Sequence, residues 1–197
     1  PLMRRQLVKM LLPTEQALSF LLYTAKVLQQ ADSGDAEAQR LVRVLTPLIK
    51  FRATRDARKV TGDSMEVRGG CGYIEEWINP RLLRDAHLGS IWEGTSNVVA
   101  LDVLRASRKE GSHLALAQAA KGLLAEAAAL APAFAAELEG IVERAVALVR
   151  RALAEPQGER LARQAGTALY NVMGAVLMFH EAAAIHAAGG NAKRLVL

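Results

Sequence analysis

The stretch of sequence that decides the fold reads GGCGY at 69–73, RLLRDA at 81–86 and SIWEGTSN at 90–97. Most of the remaining chain is rich in Leu, Ala and Val. Three glycines within four positions let the backbone turn sharply or approach a ligand closely, because no Cβ is in the way. Glu93 stands between a tryptophan and a glycine, where a carboxylate can be desolvated and act as a general base. The stretch therefore predicts a functional site.

Composition predicts an all-α protein. Hydrophobic residues make up 51% of the 197 residues and aromatic residues only 5%. Abundant Ala and Leu with few aromatic residues favour packed helices, and no segment shows the sustained Val, Ile and Thr alternation of a strand. A chain of this length can form one large core or two small ones.

The apolar periodicity predicts a series of helices. They are expected over 2–30, from after Asp35 to about Arg68, and over 81–88, 95–106, 113–130, 133–154 and 159–188. Asp35 is predicted to be an N-cap, and Gly69 or Gly70 to end the second helix in the left-handed conformation. Pro13 is expected to kink the first helix or restart it, since proline lacks a backbone N–H.

Gly111 and Ser112 form the best candidate boundary between two parts of the chain. We predict an up-and-down, four-helix-type bundle over 1–110 and an additional helical region over 111–197. The Ala-rich helices of the second region expose small side chains, which allow close packing on the bundle or on another subunit.

The net charge of +5 is unevenly distributed. Residues 1–110 hold 17 Lys and Arg against 13 Asp and Glu, whereas residues 111–197 hold 8 against 7. The nearly neutral second region argues against a dedicated nucleic-acid-binding arm. Arg52, Arg55, Arg58, Lys59 and Arg68 form a basic arc on the second helix, which is either a solvated face or a surface facing an anion or another subunit.

Several other classes of site and segment are not indicated by the sequence. The single cysteine, Cys71, cannot form an internal disulfide and is compatible with a reducing compartment, so we expect a cytoplasmic protein. The four histidines have no metal-like spacing, and we expect no metal site. We find neither a signal peptide nor an uncharged apolar run long enough to span a membrane.

The three motifs together resemble the C-terminal domain of the flavin-dependent acyl-CoA dehydrogenase family. That family has GG-x-GY, then R-x-x-RDA, then E-G-T and a helix ending near D-V-L-R, which stands here at 102–105. The IWEG motif at 91–94 and the long helical tail look most like the AidB-like branch of the family. The resemblance covers about residues 1–110 and implies this C-terminal bundle, preceded in the complete enzyme by a helical domain and a β domain.

The resemblance also implies roles for individual residues. Glu93 matches the catalytic base, which removes the α-proton of an acyl-CoA while a hydride passes to N5 of FAD. The implied FAD contacts are Thr95, Asn97, Gly69, Gly70 and Glu66, and the implied substrate contacts are Tyr73, Trp92 and Gly94. Glu66 replaces the usual glutamine and can accept but not donate a hydrogen bond. The family forms homodimers or homotetramers, with FAD reaching across a subunit contact, and the electron acceptor is left open.

Structural alternatives exist for most of these residues. Glu93 could stabilise a helix N-terminus through the helix dipole, and Thr95 could simply cap that helix. Tyr73 and Trp92 could pack in the core. Arg81, Arg84 and Asp85 are expected to form an ion-pair cluster, with Arg84 the first choice for an anion contact.

The resemblance begins after the family segment whose arginine binds the flavin pyrophosphate. The chain therefore looks like a fragment, and alone it is expected to bind FAD weakly and to be inactive. Two other functions stay open: an AidB-like flavoprotein that binds or protects nucleic acid, and a helical interaction module.

Overall fold

The computed structural model describes residues 1–192 of the chain, and every regular element in that range is helical. The elements are α1 (Leu2–Asp32), α2 (Ala36–Arg68), α3 (Gly70–Tyr73), α4 (Asn79–Gly89), α5 (Ser96–Glu110), α6 (Ser112–Ala127), α7 (Pro132–Ala154), a 3₁₀ turn (Gly158–Leu161) and α8 (Ala162–Ala187). The predicted all-α class is confirmed.

The two longest helices, α1 and α2, form a hairpin with the most extensive contact in the protein. Asp35 caps α2, because its Oδ1 accepts from the N–H groups of Glu37 at 2.9 Å and Ala38 at 3.1 Å. This confirms the predicted N-cap. The predicted restart of the first helix does not occur, since α1 continues through Pro13.

One apolar core joins the two predicted regions of the chain. Phe20 of α1, Leu48 of α2, Val103 of α5, Leu116 of α6 and Leu169 of α8 all belong to a single buried cluster. Helix α8 is central to this arrangement, because it contacts α1, α2, α5, α6 and α7. The additional region therefore packs on the bundle.

The junction between the two regions is the turn at Gly111, whose φ of 64° places it in the left-handed region between α5 and α6. A division into domains over 1–110 and 111–197 stays a prediction, and residues 193–197 lie outside the described part of the chain.

One stretch, Gly158–Ala187, is long and apolar enough to cross a membrane by length and composition. More than half of its most apolar window, 56%, is buried against the rest of the protein, as in the central helix of a core.

Candidate functional site

The first glycines of the motif end α2 and start a short helix. Gly69 has φ 59° and ψ −140°, so its φ is positive as expected, but it is not in the αL conformation predicted for this cap. Its N–H donates to the Glu66 carbonyl at 3.0 Å. Gly72 packs on α2 so closely that an added Cβ would lie 2.2 Å from the main-chain oxygen of Met65. The motif therefore folds back against the helix that precedes it.

Glu93 lies in the turn that connects α4 with α5. Its φ is 54° and that of Gly94 is 115°, so two successive residues have left-handed backbone conformations. Glycine adopts this region freely, whereas a residue with a Cβ is destabilised there by roughly 1–2 kcal/mol. A Cβ on Gly94 would also lie 3.2 Å from Cγ2 of Val99. The surrounding contacts must hold Glu93 in this conformation.

Lys50 of α2 supplies two of those contacts. Its Nζ donates to the main-chain oxygen of Gly89 at 2.6 Å and to that of Trp92 at 2.8 Å. One ammonium group thus joins the end of α4 to the residue that precedes Glu93. The sequence analysis missed Lys50; the only signal for it is a cation within the apolar run LTPLIKF at 45–51.

Two arginines of the predicted basic arc contact the same turn. Arg58 donates to Oγ of Ser90 at 3.3 Å, and Arg55 donates to Oγ of Ser96 at 3.2 Å. Burial lowers the pKa of Arg55, and so does the nearby charge of Arg163. Arg55 and Arg58 are therefore partly buried against this turn, whereas Lys59 of the same arc is exposed. For these two arginines the alternative of a fully solvated face does not hold.

A cavity of about 420 Å³ lies between α2 and α5, and Glu93, Lys50 and Asp102 are among its lining residues. At its wall the Arg43 guanidinium binds Asp102 through two hydrogen bonds of 2.9 Å each. The hydrogen bond from Arg43 lowers the pKa of Asp102, with a smaller contribution from Arg105. This wall is therefore charged, and Glu93 stands at its edge.

The apolar side chains of the motif lie at the surface of this chain. Tyr73 is 77% exposed and Trp92 56% exposed, so neither packs in the core, and that alternative is wrong. The Glu93 side chain is also exposed. The described residues therefore do not supply the desolvation that the sequence analysis expected for Glu93.

The start of α5 has polar groups that suit an oxygen-rich ligand. Thr95 is the N-cap residue, but its hydroxyl makes no capping hydrogen bond, so the capping alternative is not realised. Thr95 and Asn97 are both exposed. A hydroxyl, an amide and the N–H groups of a first helical turn can donate to phosphate or ribose oxygens. These residues fit the FAD contacts that the resemblance implies.

The arginines of α4 have carboxylate partners within this chain. Arg81 pairs with Asp85 at 3.6 Å, as expected. Arg84 instead binds both carboxylate oxygens of Glu75, at 2.9 and 3.3 Å. Arg84 is therefore paired with Glu75, a partner that the sequence analysis missed, and its role as an anion contact stays a prediction.

Within residues 1–192, no three His, Cys, Asp or Glu side chains come together in a way that could hold a metal ion. His180 lies 2.9 Å from a carboxylate oxygen of Glu126 and joins α8 to α6.

Residues 1–108, more than half of the chain, match the family model described as the acyl-CoA dehydrogenase C-terminal domain. The chain belongs to the acyl-CoA dehydrogenase family. Among its relatives, acyl-CoA dehydrogenase family member 11 of Caenorhabditis elegans is 40% identical over 128 residues, which is 63% of this chain and 21% of that protein. The putative acyl-CoA dehydrogenase AidB of Escherichia coli is 38% identical over 110 residues, or 56% of this chain and 20% of AidB.

The structure of Caenorhabditis elegans ACDH-11 in complex with C11-CoA is similar to the whole chain. The TM-score is 0.88 at 27% identity, and the match covers 100% of this chain and 35% of that one. The helices beyond residue 108, which the family model does not match, therefore have counterparts in that acyl-CoA dehydrogenase. The chain spans about a fifth of the length of the two curated relatives.

Proposed function

We propose that this chain is the C-terminal part of an FAD-dependent enzyme that introduces an α,β double bond into an acyl-CoA thioester. The observation that carries the proposal is the left-handed conformation of Glu93, at φ 54°, between an aromatic side chain and the first turn of α5. Strained residues held by surrounding contacts concentrate at functional sites. Membership of the acyl-CoA dehydrogenase family supports the reaction class.

In the proposed reaction, a carboxylate oxygen of Glu93 takes the proton from the α carbon of the thioester. When FAD is bound, it accepts the hydride from the β carbon, and the two losses leave a carbon–carbon double bond. Because Glu93 is exposed in this chain, parts of the complete protein outside it must cover the carboxylate and exclude water.

The residues around Glu93 hold the two ligands in this proposal. Thr95, Asn97, Gly69, Gly70 and Glu66 contact FAD, with Glu66 restricted to accepting hydrogen bonds. The exposed rings of Tyr73 and Trp92, with Gly94 between Glu93 and α5, border the acyl chain.

The assembly and location of the complete protein are also proposals. The outward face of α1 is apolar, with Leu7, Leu11, Leu18 and Leu22 each about half exposed or more. Contiguous apolar surface of this kind marks an interface. It supports a homodimer or homotetramer whose bundles and remaining domains cover this face. The proposed location, the cytoplasm, rests instead on the single cysteine.

The test is the Glu93→Gln variant of the complete protein. Glutamine keeps the size of the side chain but cannot take a proton. Reduction of bound FAD by an acyl-CoA should therefore fall by roughly 10²–10⁴-fold, the contribution of a general base. Stopped-flow absorbance of the flavin measures the rate. The FAD content should stay unchanged.

Glu76→Gln is the matched control, because Glu76 is an exposed carboxylate of the same segment, outside the turn that holds Glu93. It should reduce FAD at the parent rate. Normal reduction in Glu93→Gln would remove Glu93 as the base.

The nucleic-acid-binding alternative comes from the resemblance to the AidB-like branch, and AidB of Escherichia coli is among the relatives. Against it, Arg55 and Arg58 of the basic arc are engaged with serines inside this chain. Duplex binding by the complete protein that weakens steeply with salt would favour the alternative.

A further inference from the structure

The two hydrogen bonds of Lys50 act on the peptide group that determines how Glu93 is oriented. The oxygen of Trp92, 2.8 Å from Lys50 Nζ, belongs to the peptide group whose nitrogen is that of Glu93. The φ angle of Glu93 is the rotation between this peptide plane and its own Cα. Fixing this plane fixes where the Glu93 Cα lies and, together with the positive φ, sets the direction in which the Glu93 side chain leaves the backbone.

The second hydrogen bond of Lys50 is made at the start of the turn, where α4 ends. The Gly89 oxygen, 2.6 Å from Nζ, is at the last residue of α4. The lysine thus connects the end of α4, the residue before Glu93 and the middle of α2. Leu48 and Phe51, on either side of Lys50, are buried and anchor α2 in the core. Lys50 therefore ties the turn to a rigid helix.

A lysine suits this position for a physical reason. An ammonium group carries three donors, so it can serve two carbonyl oxygens at once, and charged donors make shorter and stronger hydrogen bonds than neutral ones. Arg58 and Arg55 hold the flanking Ser90 and Ser96 through neutral hydroxyls. Lys50 contacts the main chain of the turn itself.

We propose that Lys50 is a positioning residue for Glu93: it holds the Trp92–Glu93 peptide group so that the carboxylate is aimed at the α carbon of the substrate. The inference rests on the proposed function. The proposed function is thereby extended to a residue on another helix, one that is not among the FAD and acyl-chain contacts proposed above.

The experiment compares Lys50→Met with the parent in the complete, FAD-loaded protein. Methionine keeps an unbranched side chain but removes the donors. Hydrogen exchange of the amides in 89–96 should become at least about tenfold faster, because the turn opens without its two bonds. The single-turnover rate of FAD reduction by an acyl-CoA should fall about 100-fold, the size expected for a misplaced catalytic group.

A kinetic isotope effect separates positioning from loss of folded protein. With α-deuterated acyl-CoA, the isotope effect on FAD reduction should rise in Lys50→Met, because proton abstraction becomes more fully rate-limiting. A merely structural role would lower the amount of FAD bound and leave the rate per bound FAD and the isotope effect unchanged.

Two further variants serve as controls. Lys50→Arg retains a charged group with several donors in a bulkier, planar form and should reduce FAD faster than Lys50→Met. Lys59→Met removes a lysine of the same helix that binds Asp63 and should leave exchange and reduction unchanged.

Unchanged exchange over 89–96 in Lys50→Met would overturn the inference. Faster exchange over 89–96 in Lys50→Met together with the parent rate of FAD reduction would also overturn it. If the parent protein is not reduced by any acyl-CoA, the proposed function fails, and the exchange comparison still decides whether Lys50 holds the turn.

Discussion

At the scale of single residues, the backbone conformation of Glu93 lowers stability at a position where the proposed function requires a carboxylate. Its φ of 54° suits glycine better than glutamate, yet the proposed chemistry needs a carboxylate there. Lys50 offsets the strain with two hydrogen bonds to the turn. Local strain of this kind is tolerated where a side chain must be aimed in one direction.

Replacing Glu93 by glycine should therefore relieve the backbone strain, whereas replacing it by alanine should not. We expect Glu93→Gly to be about 1 kcal/mol more stable than Glu93→Ala, because only glycine relieves the left-handed conformation. Both variants lack the carboxylate, so the comparison isolates the backbone. Urea unfolding of the 197-residue chain measures the difference. Equal stabilities would show that the turn is unstrained in solution.

The sequence predicted the location of this turn but not its conformation. The sequence analysis expected a break between two helices here but no particular φ, and the structure gives positive φ to both Glu93 and Gly94. Lys50 could not be assigned either. Its acceptors are main-chain oxygens 39 and 42 residues away. Every residue has a main-chain oxygen, so the sequence does not indicate which of them accept a hydrogen bond.

At the scale of elements, the first turn of α6 contains a buried ionisable group. His113 is only 6% exposed, and its Nδ1 has no hydrogen-bond partner among the described residues. Burial lowers its pKa, and the neighbouring charge of Arg150 lowers it further. The folded protein therefore favours the neutral imidazole.

This arrangement predicts a pH dependence with a definite sign. Below the unfolded-state pKa of about 6.5, the unfolded chain binds a proton that the folded chain does not, so stability falls as the pH drops from there toward the folded pKa. His113→Leu should lose this part of the slope. The free energy of unfolding, measured across that range, tests it. His87→Leu, at an exposed position on α4, is the control and should keep the slope.

Helix boundaries were predictable where a local residue determines them. Asp35 makes its cap with two N–H groups of the next turn, and Pro132 starts α7 as its missing N–H allows. The end of α2 was less predictable, because Gly69 adopts a positive φ outside the αL region. Thr95 stands at the predicted cap position without making the bond, which residue identity alone does not reveal.

At the scale of the whole molecule, the site is open on one side. Glu93, Tyr73 and Trp92 are exposed, and the outward face of α1 is apolar. The sequence could not show that the second region closes the core through α8, since that contact joins segments more than a hundred residues apart. It also could not show which surface the rest of the complete protein covers.

The open site predicts that the chain alone binds FAD poorly. The resemblance places the pyrophosphate-binding arginine and the β domain outside these residues, so only the contacts around Thr95 and Gly69 remain. Calorimetric titration of the 197-residue chain with FAD should show no stoichiometric binding at micromolar concentration. Tight binding at one FAD per chain would contradict this picture.

The two tryptophans of the chain both lie in the motif stretch 69–97 and are partly exposed, Trp77 at 43% and Trp92 at 56%. The guanidinium of Arg68 lies over the ring of Trp77, with its Cζ 5.1 Å from the ring centroid. The tryptophan emission of the isolated chain therefore comes from exposed positions of this stretch. When another domain, subunit or acyl chain covers it, the emission will shift to shorter wavelength, and the protein reports its own assembly without an added label.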